Sequence, residues 1–143
     1  MTFYVIDGQG GGIGRSLVER LRAEFPRYQV IAIGSNAMAT ASMLKGGASA
    51  GGTGENAVRV CCRNAKEEDI ILGPIGIVLA DSMLGEMTPA MAAAVSSSRA
   101  YKILIPAPAS RSHALVAGVV EKTVAQYIED ALEALRERLS AGR

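Results

Sequence analysis

Thr2-Phe3-Tyr4-Val5-Ile6-Asp7-Gly8-Gln9-Gly10-Gly11-Gly12-Ile13-Gly14 is the stretch on which the reading of this chain turns. Its opening residues, 2–7, are aromatic, β-branched and apolar, the composition of a strand. A glycine run follows at once. Ile13, Leu17, Val18 and Leu21 then recur at helical spacing as far as the break at Phe25-Pro26. Strand, tight turn, helix is the context in which a glycine-rich loop acquires a binding meaning. Main-chain amides can approach a phosphate closely there, and the helix N-terminus adds a favourable dipole.

Outward from that stretch, strands and helices alternate. Residues 28–33 form a second apolar strand that ends at Gly34, and residues 37–45 a small Ala/Met-rich helix stopped by Gly46-Gly47. The stretch 48–62 has two readings. Val58–Cys62 is a strand, or Ala48–Gly51 is a short edge strand and a helix starts at Thr53. The second is preferred, because Ala57, Val58, Cys61, Cys62 and Ala65 share one helical stripe and supply the crossover that a parallel strand at 69–72 requires. The turn Gly73-Pro74-Ile75-Gly76 closes that strand, and a helix is expected to run on to about Leu84. Thr88-Pro89 reads as a helix start, with Thr as cap and Pro at the first helical position. Residues 102–105 are a strand and 114–119 a weaker one. Val124, Ile128, Ala131, Leu132, Leu135 and Leu139 mark a long amphipathic C-terminal helix.

This alternation predicts a single α/β domain over residues 1–143: a Rossmann-like three-layer αβα sandwich around a mostly parallel, doubly wound sheet of about five or six strands. The 143 residues suit one domain, at roughly 100–200 residues each. Fifteen Lys and Arg against fourteen Asp and Glu leave a net charge of +1, so no basic face is expected to hold a nucleic acid. No apolar run reaches the roughly 20 residues of a membrane span, and no basic leader or apolar h-region opens the chain; a cytoplasmic protein is expected. The adjacent Cys61 and Cys62 argue against a disulfide scaffold, and with His113 as sole histidine no Cys/His zinc site is expected.

Gly8, Gly12 and Gly14 match the G-x-x-x-G-x-G spacing of short-chain-dehydrogenase-like dinucleotide folds. A phosphate-loop reading fails at Gln9, where a glycine belongs, and at Arg15, where lysine belongs. A methyl-donor reading would use Gly10, Gly12 and Gly14. Both it and an NAD site want an acidic residue at the end of the second strand, and Gly34-Ser35-Asn36 stands there. Ser35 and Asn36 suit a 2′-phosphate, with Arg15 lending charge, or else simply cap the helix at 37–45. The expected cofactor is therefore NADP or NAD, with a slight tilt to NADP. Its expected contacts are Asp7, Gly8, Gln9, Gly10, Gly11, Gly12, Ile13, Gly14, Ser35 and Asn36. Across the crevice, Gly73, Pro74, Ile75 and Gly76 would face the loop.

The segments Val5–Gly14, Gly54-Glu55-Asn56-Ala57, Gly73–Ile77, Ala80–Glu86 and Ile103-Leu104-Ile105-Pro106 together resemble a small bacterial family of unknown function. The resemblance covers essentially the whole chain and implies a single Rossmann-like domain, with no established reaction. The family pattern carries Asn-Arg-Cys after the last segment, where this chain has Ala109-Ser110-Arg111-Ser112-His113.

Chemistry is harder to find. None of Tyr4, Tyr28, Tyr101 and Tyr127 is followed four residues on by the lysine of a reductase pair. Asp81, Glu86 and His113 are the candidate acid–base groups. The reading is a nucleotide-binding sensor, carrier or accessory domain, with the C-terminal helix as a possible homodimer surface. The alternatives are an enzyme of unassigned class or an interaction domain holding a small anion.

Overall fold

Six residues of alternating bulk build the central strand. β1 (Thr2–Asp7) pairs in parallel with β2 (Gln29–Gly34) from Thr2 opposite Gln29 to Asp7 opposite Gly34, and on its other side with β4 (Ile70–Pro74). β3 (Ala50–Thr53) adds beyond β2 and β5 (Tyr101–Ile105) beyond β4, giving one parallel sheet in the order β3-β2-β1-β4-β5. The computed structural model describes residues 1–107 and 115–142.

Because side chains alternate along a strand, β1 sends Phe3 and Val5 to one face and Ile6 to the other. The first face is covered by α1 (Gly12–Glu24), through Leu17, Val18 and Leu21, and by α5 (Val124–Ser140), through Ile128, Leu132 and Leu135. Met43 of α2 (Ala37–Lys45) joins this layer. α3 (Glu55–Asn64) and α4 (Pro89–Ser97) cover the second face with Val58, Cys62, Met91 and Val95. The chain thus winds outward through β2 and β3, crosses back by α3, and winds the other way through β4 and β5. The reversal lies between β1 and β4, whose carboxyl ends flank the crevice where such sheets bind ligands.

Local signals act as read. Thr88 accepts the Met91 amide with Pro89 at the first helical position, and Thr123 and Gln126 form a reciprocal capping box. The short edge strand and the helix after it lie two residues beyond their expected starts at Ala48 and Thr53. Two expectations fail. After β4 the chain makes only a 3₁₀ turn, Ile75–Val78, and then a loop, not a helix to Leu84. Asp81, Met83 and Leu84 have φ of 61°, 58° and 56°, which a right-handed helix cannot contain. The weak strand at 114–119 is also absent among the described residues: 115–119 hold no strand, the Val119 amide closes a turn on the Val116 carbonyl at 3.3 Å, and residue 114 lies outside the described ones. Among the described residues β5 is therefore an edge, and the sheet has five strands.

The apolar stripe of α5 is spent on its own sheet. Tyr127, Ile128, Ala131, Leu132 and Leu135 are buried, leaving Val124 as the exposed large apolar residue of the helix. The premise for a dimer surface there is not met.

Close strand packing fixes one glycine of β4. A Cβ on Gly73 would be driven onto the carbonyl oxygen of Ile6 in the adjacent strand, which cannot yield without breaking the sheet. Gly73→Ala is expected to lower stability by about 3 kcal/mol. Urea unfolding checks this through a lower midpoint at unchanged slope; a wild-type midpoint would show that the strands have room to part.

Candidate functional site

The glycine loop is held from below by one carboxylate. Asp7, the last residue of β1, is 5% exposed; its Oδ1 accepts the Gly8 amide and its Oδ2 the Gly14 amide, both at 2.7 Å. One side chain thereby clasps both ends of the loop. Inside it, the Gly11 amide donates to the Gly8 carbonyl at 2.9 Å, and Gly11 enters α1 with φ of 71°. Asp7, expected among the cofactor contacts, is buried, and both its oxygens serve the loop from within.

The loop's glycines answer to two different demands. A Cβ on Gly8 would lie 2.5 Å from both Met83 Sδ and Ser35 Oγ. On Gly11 it would meet the Ala39 backbone at 2.8 Å, and on Gly14 the Met43 Sδ at 2.5 Å. These three are required by the protein's own packing. Gly10 and Gly12 are exposed, and a Cβ on either would meet nothing within 4 Å. The amides of Gly10, Gly12 and Ile13 donate to no group among the described residues. Three donors therefore remain open around the start of α1, while those of Gly8, Gln9, Gly11 and Gly14 are engaged.

The fourth engaged donor reveals what the sequence hid. Glu86, in the loop between β4 and α4, reaches over the crevice. Its Oε1 accepts the Gln9 amide at 2.8 Å, the Ser35 hydroxyl at 2.7 Å and the Asn36 side-chain amide at 2.7 Å. Asn36 also caps α2 by accepting the Ala39 amide, and donates to the Gln9 carbonyl. Capping and site roles are thus combined in one side chain. The acidic group missing from the end of β2 is present after all, delivered by a residue 51 positions from Ser35. No local pattern could have signalled this. Arg15, the cation expected to help a 2′-phosphate, instead pairs with Glu19 at 3.6 Å along its own helix.

The loop that brings Glu86 also covers the far wall of the crevice. Gly73, Pro74 and Gly76 are buried and Ile75 half-buried. The Ser82 hydroxyl donates to the Gly76 carbonyl at 2.5 Å, and a Cβ on Gly76 would crowd Ser82 Oγ and Met83 Cε. The glycines of this turn thus make way for the protein's own residues. Asp81 is exposed and steadies the loop through its backbone, its amide donating to the Met87 carbonyl at 2.7 Å. His113 and Arg111 lie outside the described residues.

Electrostatics separate the two carboxyl groups. Burial pushes Asp7 above the usual carboxylate range, against the pull of its two amide donors, and the charge of Glu86 adds to the rise. For Glu86, burial acts upward too, but the donors Gln9, Ser35 and Asn36 together outweigh it and hold the group below its ordinary value. The thiols are quiet: burial pushes Cys62 up to about 12 and raises Cys61 as well, so neither is an activated nucleophile.

The chain belongs to a family described as a domain of unknown function, DUF3842, whose model matches residues 2–140. No curated protein and no solved structure matches it.

Two outcomes follow from the carboxylates. In Asp7→Asn the side-chain NH2 confronts one of the two loop amides, donor against donor, at a cost of about 2 kcal/mol; chemical denaturation measures it, and an unchanged stability would mean the clasp is dispensable. Glu86 has a folded pKa below its unfolded one. Its contribution is therefore complete above the ordinary value of 4.5 and is lost as pH falls through the lowered one. Melting temperature against pH should decline more steeply below pH 4.5 for the wild type than for Glu86→Gln; parallel curves would contradict that linkage.

Proposed function

We propose that this protein binds a dinucleotide of the NAD or NADP class, its diphosphate received by the open amides of Gly10, Gly12 and Ile13. The observation that carries the reading is that trio. Among the described residues these donors stand without partners at the N-terminus of a thirteen-residue helix, beside two glycines at which a Cβ would meet nothing within 4 Å. A side chain absent for no internal reason leaves room for something to approach the backbone, and a diphosphate satisfies both the amides and the dipole. The position, at the reversal of a doubly wound sheet, is where such ligands bind.

The role we infer is that of a sensor, carrier or accessory domain in the cytoplasm. Glu86, a candidate acid or base, is committed by three hydrogen bonds to holding the loop, which leaves it poorly placed to exchange a proton. The cysteines are unbridged, in keeping with a reducing compartment. A narrower reading, a small anion alone at the same amides, is favoured by one fact: Met83 lies against Gly8 and fills part of the crevice.

Calorimetric titration with NAD, NADP, ATP, S-adenosylmethionine and inorganic phosphate tests these readings. Saturable binding of a nicotinamide dinucleotide, abolished in Gly12→Val at unchanged melting temperature, is expected. Phosphate binding without nucleotide binding would favour the anion reading. Indifference to every ligand would sink both.

A further inference from the structure

Glu86 is held in an uneven way. All three donors that reach it, from Gln9, Ser35 and Asn36, converge on Oε1, while Oε2 accepts no hydrogen bond among the described residues. The side chain is half-buried, fixed by donors on two different segments, and keeps one oxygen free at the carboxyl end of β2. A carboxylate oxygen can only accept when ionised, so its natural partner is a hydroxyl or amide donor. It also excludes another anion from the same place.

We propose that Glu86 Oε2 is the acceptor for a ribose diol, so that the ligand of this site is a nucleotide with a free 2′-hydroxyl, NAD-like, and a 2′-phosphorylated one is rejected. This rests on the dinucleotide reading above and goes further by naming the ligand's ribose. Three features support it. The carboxylate is adjacent to the glycine loop, its Oε1 accepting the Gln9 amide, and in doubly wound folds the ribose lies beside the loop that receives the diphosphate. Ser35 and Asn36, the two residues able to welcome a phosphate, spend their donors on Oε1. Arg15 is paired elsewhere with Glu19. Among the described residues no cation bonds to this carboxylate, so a 2′-phosphate arriving here meets its negative charge uncompensated.

The carboxylate comes from the loop joining β4 to α4, not from β2 itself. That arrangement couples the ribose contact to the conformation of residues 79–88. In this loop Asp81, Met83 and Leu84 adopt left-handed backbone conformations that side chains seldom take. Recognition of the sugar is thus assigned to a segment held in place largely by the carboxylate that performs it.

The test is calorimetric titration of the full chain with NAD, NADP, ADP and 2′-deoxy-ADP, on wild type and Glu86→Gln. NAD is expected to bind at least about tenfold more tightly than NADP, like-charge contact being that unfavourable. ADP should surpass 2′-deoxy-ADP by a similar factor, a comparison that reads the same contact with no substitution. In Glu86→Gln, shown folded by its melting transition, the NAD to NADP ratio should fall towards one. Equal or tighter binding of NADP, or a ratio untouched by the substitution, overturns the ribose assignment and leaves the dinucleotide reading standing. Failure of all four nucleotides to bind refutes the dinucleotide reading, and the assignment with it.

Discussion

A single buried carboxylate, Asp7 clasping the amides of Gly8 and Gly14, is the interaction from which the site is built. Each of its bonds pairs a neutral amide with a carboxyl group out of water, where such contacts are worth roughly 1.5–3 kcal/mol. The bonds offset the desolvation that raises the group's pKa. The clasp has a geometric consequence. By closing the loop from its base it consumes the inward-facing donors, and the Gly11 amide closes on Gly8. The donors left over among the described residues belong to Gly10, Gly12 and Ile13, of which the two glycines are exposed.

The segment between β4 and α4 depends on that closure in turn. It lays Met83 over Gly8 and anchors Glu86 on the Gln9 amide, so it can settle only once the loop beneath has its shape. Its backbone carries three non-glycine residues at positive φ, each unfavourable by about 1–2 kcal/mol. Such a conformation persists because surrounding contacts over-determine it. Here those contacts are the three hydrogen bonds of Glu86, the Ser82 bond to Gly76 and the bridge between Ser82 and Met87. Leu84 stands at the apex, 99% exposed, the outward end of a segment whose inner residues are fastened.

The fold was largely legible from periodicity. Apolar alternation and helical stripes report burial, and burial is what a doubly wound sheet imposes on its strands and on one side of each helix. Legibility stopped where a conformation answered to distant atoms. Residues 75–84 include the apolar Ile75, Ile77, Val78 and Leu79, yet Ile77 is buried and Met83 half-buried by a segment that wraps over the crevice and not by a helical stripe. Residues 114–119 offered β-branched valines without a partner strand to exploit them. The glycine loop was recognisable as a loop, while the division of its glycines was not. Only coordinates reveal that Gly8 clears room for Met83 and Ser35 whereas Gly12 clears room for nothing inside the molecule. The acid at the end of β2 was invisible for the same reason: the fold closes a gap of 51 residues to put it there.

The two carboxyl groups also settle how charge is distributed around the loop. Asp7 lies beneath it, and burial raises its proton affinity. Glu86 lies at its rim, and its donors keep it ionised. A strong anionic field directly under the open amides would oppose a phosphate there, but Asp7 is neutralised in part by the two amides it accepts. The rim charge is different in kind. It is displaced towards β2, where it leaves the amides of Gly10 to Ile13 unopposed and repels negative charge only beyond them. That pattern is the one the proposed ligand, anionic in its middle and rich in hydroxyls to one side, would meet. The arrangement follows from backbone closure: once Asp7 has taken the inner donors and Glu86 the lateral one, the direction in which the remaining amides point is fixed by the chain itself.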